Sequence, residues 1–283
     1  MLMMKFRKLF AVIFAIIIGA VSIIATESPP PLTAIIGAFG EEVGLIERKI
    51  QDKKDLVFLG INFSQGKLNG RNVVLARTGI GKINAAMVTA VLLDRFHPTE
   101  VIITGIAGGI NPDLQPGDVV IGEKTVQYDF GEWGTNGFRS NPTCNPAHEK
   151  ANPFFVPSDA RLVGLAQKAS ARAEFTAIAL DNEKHKPRCI TGIIASGDAF
   201  IASASKKNEL RKQIQADAVE MEGAAVAQVC YQQGVPFIVI RSMSDNADAT
   251  ANMDLKRFYQ TAAGNSAQLV ITLVELLNTS GAQ

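Results

Sequence analysis

Short, almost wholly apolar β-rich runs alternate with amphipathic helical stretches along most of this chain, and that alternation limits its fold more than any other feature. Runs at 32–36, 56–61, 72–76, 101–104, 119–122, 190–195, 217–220 and 237–241 are mostly too short and too apolar to be strands with one wet face. They predict strands buried on both faces of a central sheet. Between them, 82–96, 159–172, 205–214, 221–233 and 255–277 carry apolar residues at helical spacing. Such alternation predicts an α/β fold: a single domain with a central mixed β-sheet flanked by helices on both sides. The 283 residues, 47% of them hydrophobic, suffice for one large core, and neither a repeat nor a second domain is visible.

The N-terminus departs from this pattern. Lys5, Arg7 and Lys8 precede an apolar run that ends in Ala25. A basic segment, an apolar stretch and small residues read as a secretory signal over residues 1–25. The alternative is an uncleaved anchor, since the run lies at the short end of the roughly 17–25 residues that span a bilayer. Residues 26–31, with three prolines, read as a linker, and 32–283 as the domain. The protein is therefore expected to be exported, periplasmic or secreted. Losing the leader removes three basic residues and no acidic one from a chain of formal charge +1. A near-neutral surface offers no electrostatic case for nucleic acid, and nothing beyond the N-terminal segment argues for membrane contact. Cys144, Cys189 and Cys230 match no zinc spacing, so neither a metal nor a cofactor is expected. Residues 123–157 are polar and rich in Gly, Asn and Pro. A loop of that length predicts a lid or a mobile insertion, with Trp133 as a contact for substrate or for another subunit, or else a loop packed on its own surface.

Two acidic motifs sit where apolar runs end, which is where open α/β sheets bind ligands. In Val219-Glu220-Met221-Glu222, a carboxylate can accept two ribose hydroxyls through charge-assisted hydrogen bonds. Arg241 is a natural partner for the other Glu. Asp245, just past the run at 237–241, suits a general acid if burial raises its pKa. Each of these acids could instead be a helix cap or half of a salt bridge. Glu41 and Glu42 follow the first run and could activate water, or could simply favour the dipole of a first helical turn. Small residues at Thr104-Gly105-Ile106-Ala107-Gly108-Gly109 let backbone approach a sugar or a carboxyl group. Phe200, in Ser196-Gly197-Asp198-Ala199-Phe200-Ile201, could stack on a flat heterocycle or belong to the core. Gly79-Ile80-Gly81-Lys82 fails both dinucleotide and Walker spacings and reads as a tight strand-to-helix turn.

Taken together, these motifs resemble the nucleoside phosphorylase/nucleosidase superfamily, and most closely its 5′-methylthioadenosine/S-adenosylhomocysteine nucleosidases. The likeness runs from about Thr33 to the C-terminus. It rests on Ile36-Gly37-Ala38 with Glu41-Glu42-Val43, on Thr78-Gly79-Ile80-Gly81-Lys82, and on Gly105 with Ala107-Gly108-Gly109. The Ser196–Ile201 motif, Val219-Glu220-Met221-Glu222 and Ser244-Asp245 complete it, all in family order.

The resemblance implies a nucleoside phosphorylase-like fold and a hydrolase that releases adenine from 5′-methylthioadenosine, S-adenosylhomocysteine or a related nucleoside. Glu42 would activate the attacking water, and Asp245 would protonate adenine N7. Glu222 and Met221 would hold the ribose, Phe200 would stack on the purine, and the backbone at Ile201 would read its edge. Arg241 would brace the site through Glu220, with Ala107, Gly108 and Ser244 also lining it. Nucleoside and water would be the small-molecule partners, and a homodimer is expected. The chain departs from the family at Ile106, where members commonly carry Ser. Phosphorylases of the superfamily bind phosphate with that Ser and an Arg three residues earlier, which here is Ile103. Losing both donors favours water over phosphate as nucleophile. Leu255 replaces an aromatic that often flanks the alkylthio pocket. The competing readings are a purine nucleoside or uridine phosphorylase and a non-catalytic nucleoside-binding protein on the same scaffold.

Overall fold

The computed structural model describes residues 30–180 and 183–280. The leader at 1–25 and most of the linker lie outside the described residues. From Pro31 onward the chain is one compact unit. Its centre is a ten-stranded mixed sheet. Among the described residues six helices pack around it.

The alternation of facing along the buried strands explains why the runs are apolar at almost every position. Ala34 and Ile36 of β1 (Leu32–Gly37) face one core, while Ile35 faces another. Val101 and Ile103 of β5 (Glu100–Gly109) split from Ile102 in the same way. So do Phe237 and Val239 of β14 (Phe237–Asp245) from Ile238 and Ile240. Successive side chains of a strand point to opposite faces, so a sheet covered on both needs apolar residues throughout. One face is covered by α2 (Lys82–Phe96) and α5 (Gly223–Gln233). The other is covered by α1 (Gly40–Glu47), α3 (Ala160–Ser170) and the long α6 (Ala251–Ser280). Helix α4 (Ala204–Ile214) packs Leu210 and Ile214 into a smaller third cluster.

Strands β1, β4 (Arg71–Arg77), β5 and β14 run parallel side by side. Beyond β14 lie β6 (Val119–Gln127), β12 (Cys189–Ser196) and β13 (Ala218–Glu220). The sheet then curls back on itself, because β13 pairs Ala218 and Val219 with Gly109 and Gly108 of β5. This closure brings the ends of β5, β13 and β14 to one place.

The helices at 82–96, 159–172, 205–214, 221–233 and 255–277 form within a few residues of expectation. Four expectations about strands and loops need correction. The single strand expected at 56–61 is a hairpin of β2 (Gln51–Phe58) and β3 (Ile61–Leu68). Leu59 and Gly60 turn it with positive φ at both positions, the geometry that suits a two-residue hairpin. The small-residue run at 104–109 is strand throughout, bonded to β14 and β13 rather than looped. Asp245 is the last residue of β14, not a residue beyond it. The stretch at 123–157 is not an unstructured loop. It continues β6, forms the hairpin β7 (Gly131–Gly134) and β8 (Gly137–Ser140), and returns as β9 (Val156–Pro157) against β6. A small hairpin of β10 (Ile178–Leu180) and β11 (Glu183–His185) was not foreseen.

Candidate active site

A fully buried guanidinium anchors the site. Arg241, on β14, points into the sheet's curled end, where Nη2 bonds Glu220 and lies 3.5 Å from Glu222 Oε2. Its Nη1 lies 3.6 Å from Glu42 Oε1 and donates to the Thr104 carbonyl. Gly105 is required beside it, since a Cβ there would overlap both the guanidinium and the Glu42 carboxyl. Three carboxylates thus crowd one cation.

Glu220 is consumed by this framework. Its Oε2 accepts from the Glu222 and Gly223 amides at the start of α5, at 3.1 and 2.7 Å, and its Oε1 accepts from the Ser196 hydroxyl. It therefore holds Arg241 and caps a helix. Glu222, two residues on, is differently placed. Its Oε1 accepts from the Gly81 amide at 2.9 Å, and burial together with Glu220 pushes its pKa up to about 7. The Gly79–Lys82 turn is structural, as expected, but it also positions Glu222. Positive φ at Gly79 and Gly81 aims the amide at the carboxylate.

Glu42 occupies the first turn of α1, so the helical alternative is correct as far as it goes. The side chain folds back over the helix start, accepting from the Ala38 amide at 2.6 Å and the Phe39 amide at 3.4 Å. Its other oxygen accepts from the Ile106 amide across the site at 2.9 Å. Burial raises the pKa of the carboxyl, against the pull of Arg241 and these three amides. Asp245 is also buried. The Ser244 hydroxyl donates to it at 2.7 Å and the Ala247 amide at 2.8 Å, yet desolvation dominates and its pKa is raised. Gly108 lies against it, where a Cβ would come within 3.0 Å of Oδ1.

These groups surround one cavity of about 330 Å³. Glu42, Ala107, Gly108, Phe200, Glu220, Met221, Glu222, Ser244 and Asp245 all line it. Ile201 lines a small recess behind Phe200, and Arg241 sits beneath the floor. Phe200 is half-exposed, so its ring belongs to the site and not to the core. The sequence reading missed Phe39, Ile80, Val219, Lys256 and Tyr259, which complete the wall together with Ile106 and Leu255. Phe39 immediately precedes Gly40 and the Glu41-Glu42 pair, and Leu255 and Tyr259 stand four apart on one helix. Neither fact singles them out without the fold. Among the described residues no three His, Cys, Asp or Glu side chains converge as a metal site requires.

Beside the cavity, Asp129 joins three loops. It pairs with Lys82 Nζ at 2.5 Å and accepts from the Asp198 amide at 2.8 Å, while Asp198 accepts from the Lys82 amide at 2.7 Å. Trp133, from the β7–β8 hairpin, is largely exposed and stacks edge-on with Phe138. The three cysteines are free thiols, with Cys144 exposed and Cys230 buried.

A curled mixed sheet with acidic strand ends around one cavity defines an α/β protein with a buried acidic ligand site, and known proteins share this arrangement. The phosphorylase superfamily model matches residues 33–275. A 5′-methylthioadenosine/S-adenosylhomocysteine nucleosidase from Geobacillus thermodenitrificans is 38% identical over 251 residues, 88% of this chain and 99% of that one. The crystal structure of such a nucleosidase from Neisseria meningitidis, in complex with methylthio-immucillin-A, superposes with a TM-score of 0.74 at 35% identity. It covers 87% of this chain and 99% of that one. The futalosine hydrolase of Helicobacter pylori gives 0.73 at 30% identity, covering 87% and 98%. The chain belongs to the phosphorylase superfamily and, within it, to the 5′-methylthioadenosine/S-adenosylhomocysteine nucleosidase family.

Proposed function

We propose that the protein hydrolyses the N-glycosidic bond of 5′-methylthioadenosine, S-adenosylhomocysteine or a related adenine nucleoside, releasing adenine. The observation that carries this reading is the convergence of Glu42, Glu222 and Asp245, from distant parts of the sequence, on one cavity. Cleavage passes through an oxocarbenium-like ribosyl cation. The departing purine must gain a proton as water arrives from the opposite face. Asp245 supplies the proton, because burial keeps it protonated at a higher pH than an ordinary Asp. Glu42 takes the proton from water, and its raised pKa makes it a stronger base than a solvated carboxylate. Glu222 accepts the ribose hydroxyls, Met221 packs against the sugar and Phe200 stacks on the base. The backbone at Ile201 reads the purine edge. Glu220 and Arg241 hold the carboxylates in place, and the crowd of acids around one cation favours the positive charge that develops on the sugar.

Water is the nucleophile. Ile106 offers no hydroxyl, its amide is already bonded to Glu42, and Ile103 is packed in the apolar core. A phosphate there would lack the donors it needs. The mature protein incubated with a nucleoside panel, with and without phosphate, is expected to release adenine and free sugar at the same rate in both. Sugar 1-phosphate would sink the hydrolase reading, and binding without base release would make the protein a nucleoside receptor.

The enzyme acts as a homodimer outside the cytoplasm. Ile83 and Met87 form an exposed apolar stripe on α2, with Ile80 at the cavity rim just before it, the kind of patch a second copy covers. Sedimentation of the mature chain as a monomer would refute the dimer. An unprocessed N-terminus on protein recovered from the cytoplasm would refute export.

A further inference from the structure

The cavity is strongly asymmetric in charge. Four carboxyl side chains line it, Glu42, Glu220, Glu222 and Asp245, against a single cation, Lys256. The acids come from α1 and from the ends of β13 and β14, and Lys256 lines the cavity from α6 with Leu255 and Tyr259. With the base at Phe200 and Asp245 and the ribose at Glu222, this wall is where the 5′ substituent lies.

Lys256 is uncommitted. Among the described residues it forms no ion pair, and its neighbours at helical contact distance are Asn252, Met253, Tyr259 and Gln260, none of them acidic. The nearby Asp254 is engaged by the Thr250 hydroxyl at 2.6 Å. The adjacent Arg257 is turned away, donating to the Ala179 carbonyl and lying over the Phe258 ring. Tyr259 packs against the Phe39 ring at 5.6 Å, beside Glu41. A free ammonium on the rim of an otherwise acidic and apolar cavity is a site for an anion, and the only part of a nucleoside that can bring one there is its 5′ tail.

Building on the nucleosidase reading above, we propose that Lys256 is a specificity residue that pairs with a carboxylate at the end of the 5′ substituent. The enzyme thereby favours nucleosides with an amino-acid or carboxylic-acid tail over those with a bare alkylthio group. The pair is rim-exposed, so its contribution is modest, about threefold to fivefold in affinity. The floor acids also repel an anionic tail that enters without this partner, which sharpens the discrimination.

The test measures kcat/KM for S-adenosylhomocysteine and for 5′-methylthioadenosine in the wild type, Lys256→Gln and Lys256→Arg. In Lys256→Gln the ratio of the two is expected to fall about threefold to fivefold, through KM and not kcat. Lys256→Arg should restore it. The wild-type KM for S-adenosylhomocysteine should rise with salt more steeply than that of the Gln variant, because exposed charge pairs are screened. The decarboxylated analogue of S-adenosylhomocysteine, which keeps the thioether and the amine, should lose the preference in the wild type. An unchanged ratio in Lys256→Gln, or a ratio lost equally in the Arg variant, overturns the proposal while leaving the nucleosidase reading intact. Failure of the wild type to release adenine from either nucleoside overturns both.

Discussion

Two buried arginines sit at opposite ends of the same sheet, and their surroundings differ in kind. Arg71 opens β4, near the N-terminal ends of the parallel strands. Its Nε donates to the Thr33 hydroxyl and its Nη2 to Glu100, both at 2.7 Å, and its Nη1 reaches the Leu277 carbonyl. Within the interior one buried cation meets one buried carboxylate, whose other oxygen the half-exposed Arg161 also reaches, and every Arg71 nitrogen has a partner. At the other end Arg241 faces Glu42, Glu220 and Glu222 together, and its Nε is left without a partner. The first arrangement is charge-balanced and holds strands together. The second is overloaded with acid, which costs stability and is kept where ligands bind.

The largest effects should come from the overloaded end and fall on activity. Asp245→Asn removes the proton donor while preserving the side chain's shape. We expect kcat to fall by about 10²–10⁴-fold, with the melting temperature unchanged or raised. Glu42→Gln should lose activity similarly, with nucleoside binding retained in a calorimetric titration. Turnover at the wild-type rate in either variant would remove the role assigned to that residue.

The balanced end should respond in stability alone. Arg71→Met leaves Glu100 buried without its main partner. Removing one member of a buried pair costs about 3–5 kcal/mol. Arg161, which reaches Glu100 Oε2 at 3.1 Å, holds the loss to the lower end of that range. Denaturant unfolding should show this loss, while kcat of the folded fraction stays at the wild-type value. A fall in kcat without a fall in stability would erase the distinction between the two ends.

pH separates them by sign. Glu100, with Thr33, Arg71 and Arg161 around it, has a lowered pKa, so the folded state binds its proton less readily than the unfolded chain. Its contribution is present above the usual carboxylate range and is lost as pH falls through its folded pKa. Glu222 is the reverse. Its pKa, pushed up to about 7, makes the folded state bind the proton more readily, so stability falls as pH rises from about 4.5 to about 7. The shift sets an upper bound of about 3 kcal/mol on that fall. Glu222→Gln should flatten the slope between those pH values, and Glu100→Gln should flatten the more acidic limb. Identical stability–pH curves for the two variants would mean that the ends do not differ electrostatically.

Sequence reasoning reached the acidic end more easily than the balanced one, for a physical reason. The residues at the strand ends, Glu42, Glu220, Glu222 and Asp245, stand next to apolar runs and small-residue turns, so each is locally conspicuous. Arg71, Glu100 and Thr33 pair across 29 and 38 positions of sequence, and nothing local marks them. The helices were legible because their apolar period is long enough to count. The β2–β3 hairpin was not, because its turn is Leu59-Gly60, and a leucine at positive φ carries no turn signal. The strand at 104–109 was hidden by its glycines, which ordinarily weaken strands but here let Arg241, Glu42 and Asp245 approach the backbone. The rim residues Lys256 and Tyr259 stand on a helix whose own sequence carries no motif, so only the fold could place them.

The smallest expected effect lies at the border of the acidic end. Asp129 belongs to the stretch that reads as loop, yet its carboxylate ties Lys82, one residue after the amide that holds Glu222, to the Asp198 amide, two residues before Phe200. It does not line the cavity, so it acts only by positioning. Asp129→Ala removes a partly exposed ion pair, which limits the loss of stability to about 1 kcal/mol. If the tie orders the stacking loop, the cost appears in KM for the nucleoside, a rise of up to about fivefold, with kcat nearly unchanged, and Asp129→Glu should recover part of it. A loss of stability with KM unaltered would make Asp129 a structural pair like Arg71 and Glu100, and the border between the two kinds of charge cluster would then lie at Glu222 itself.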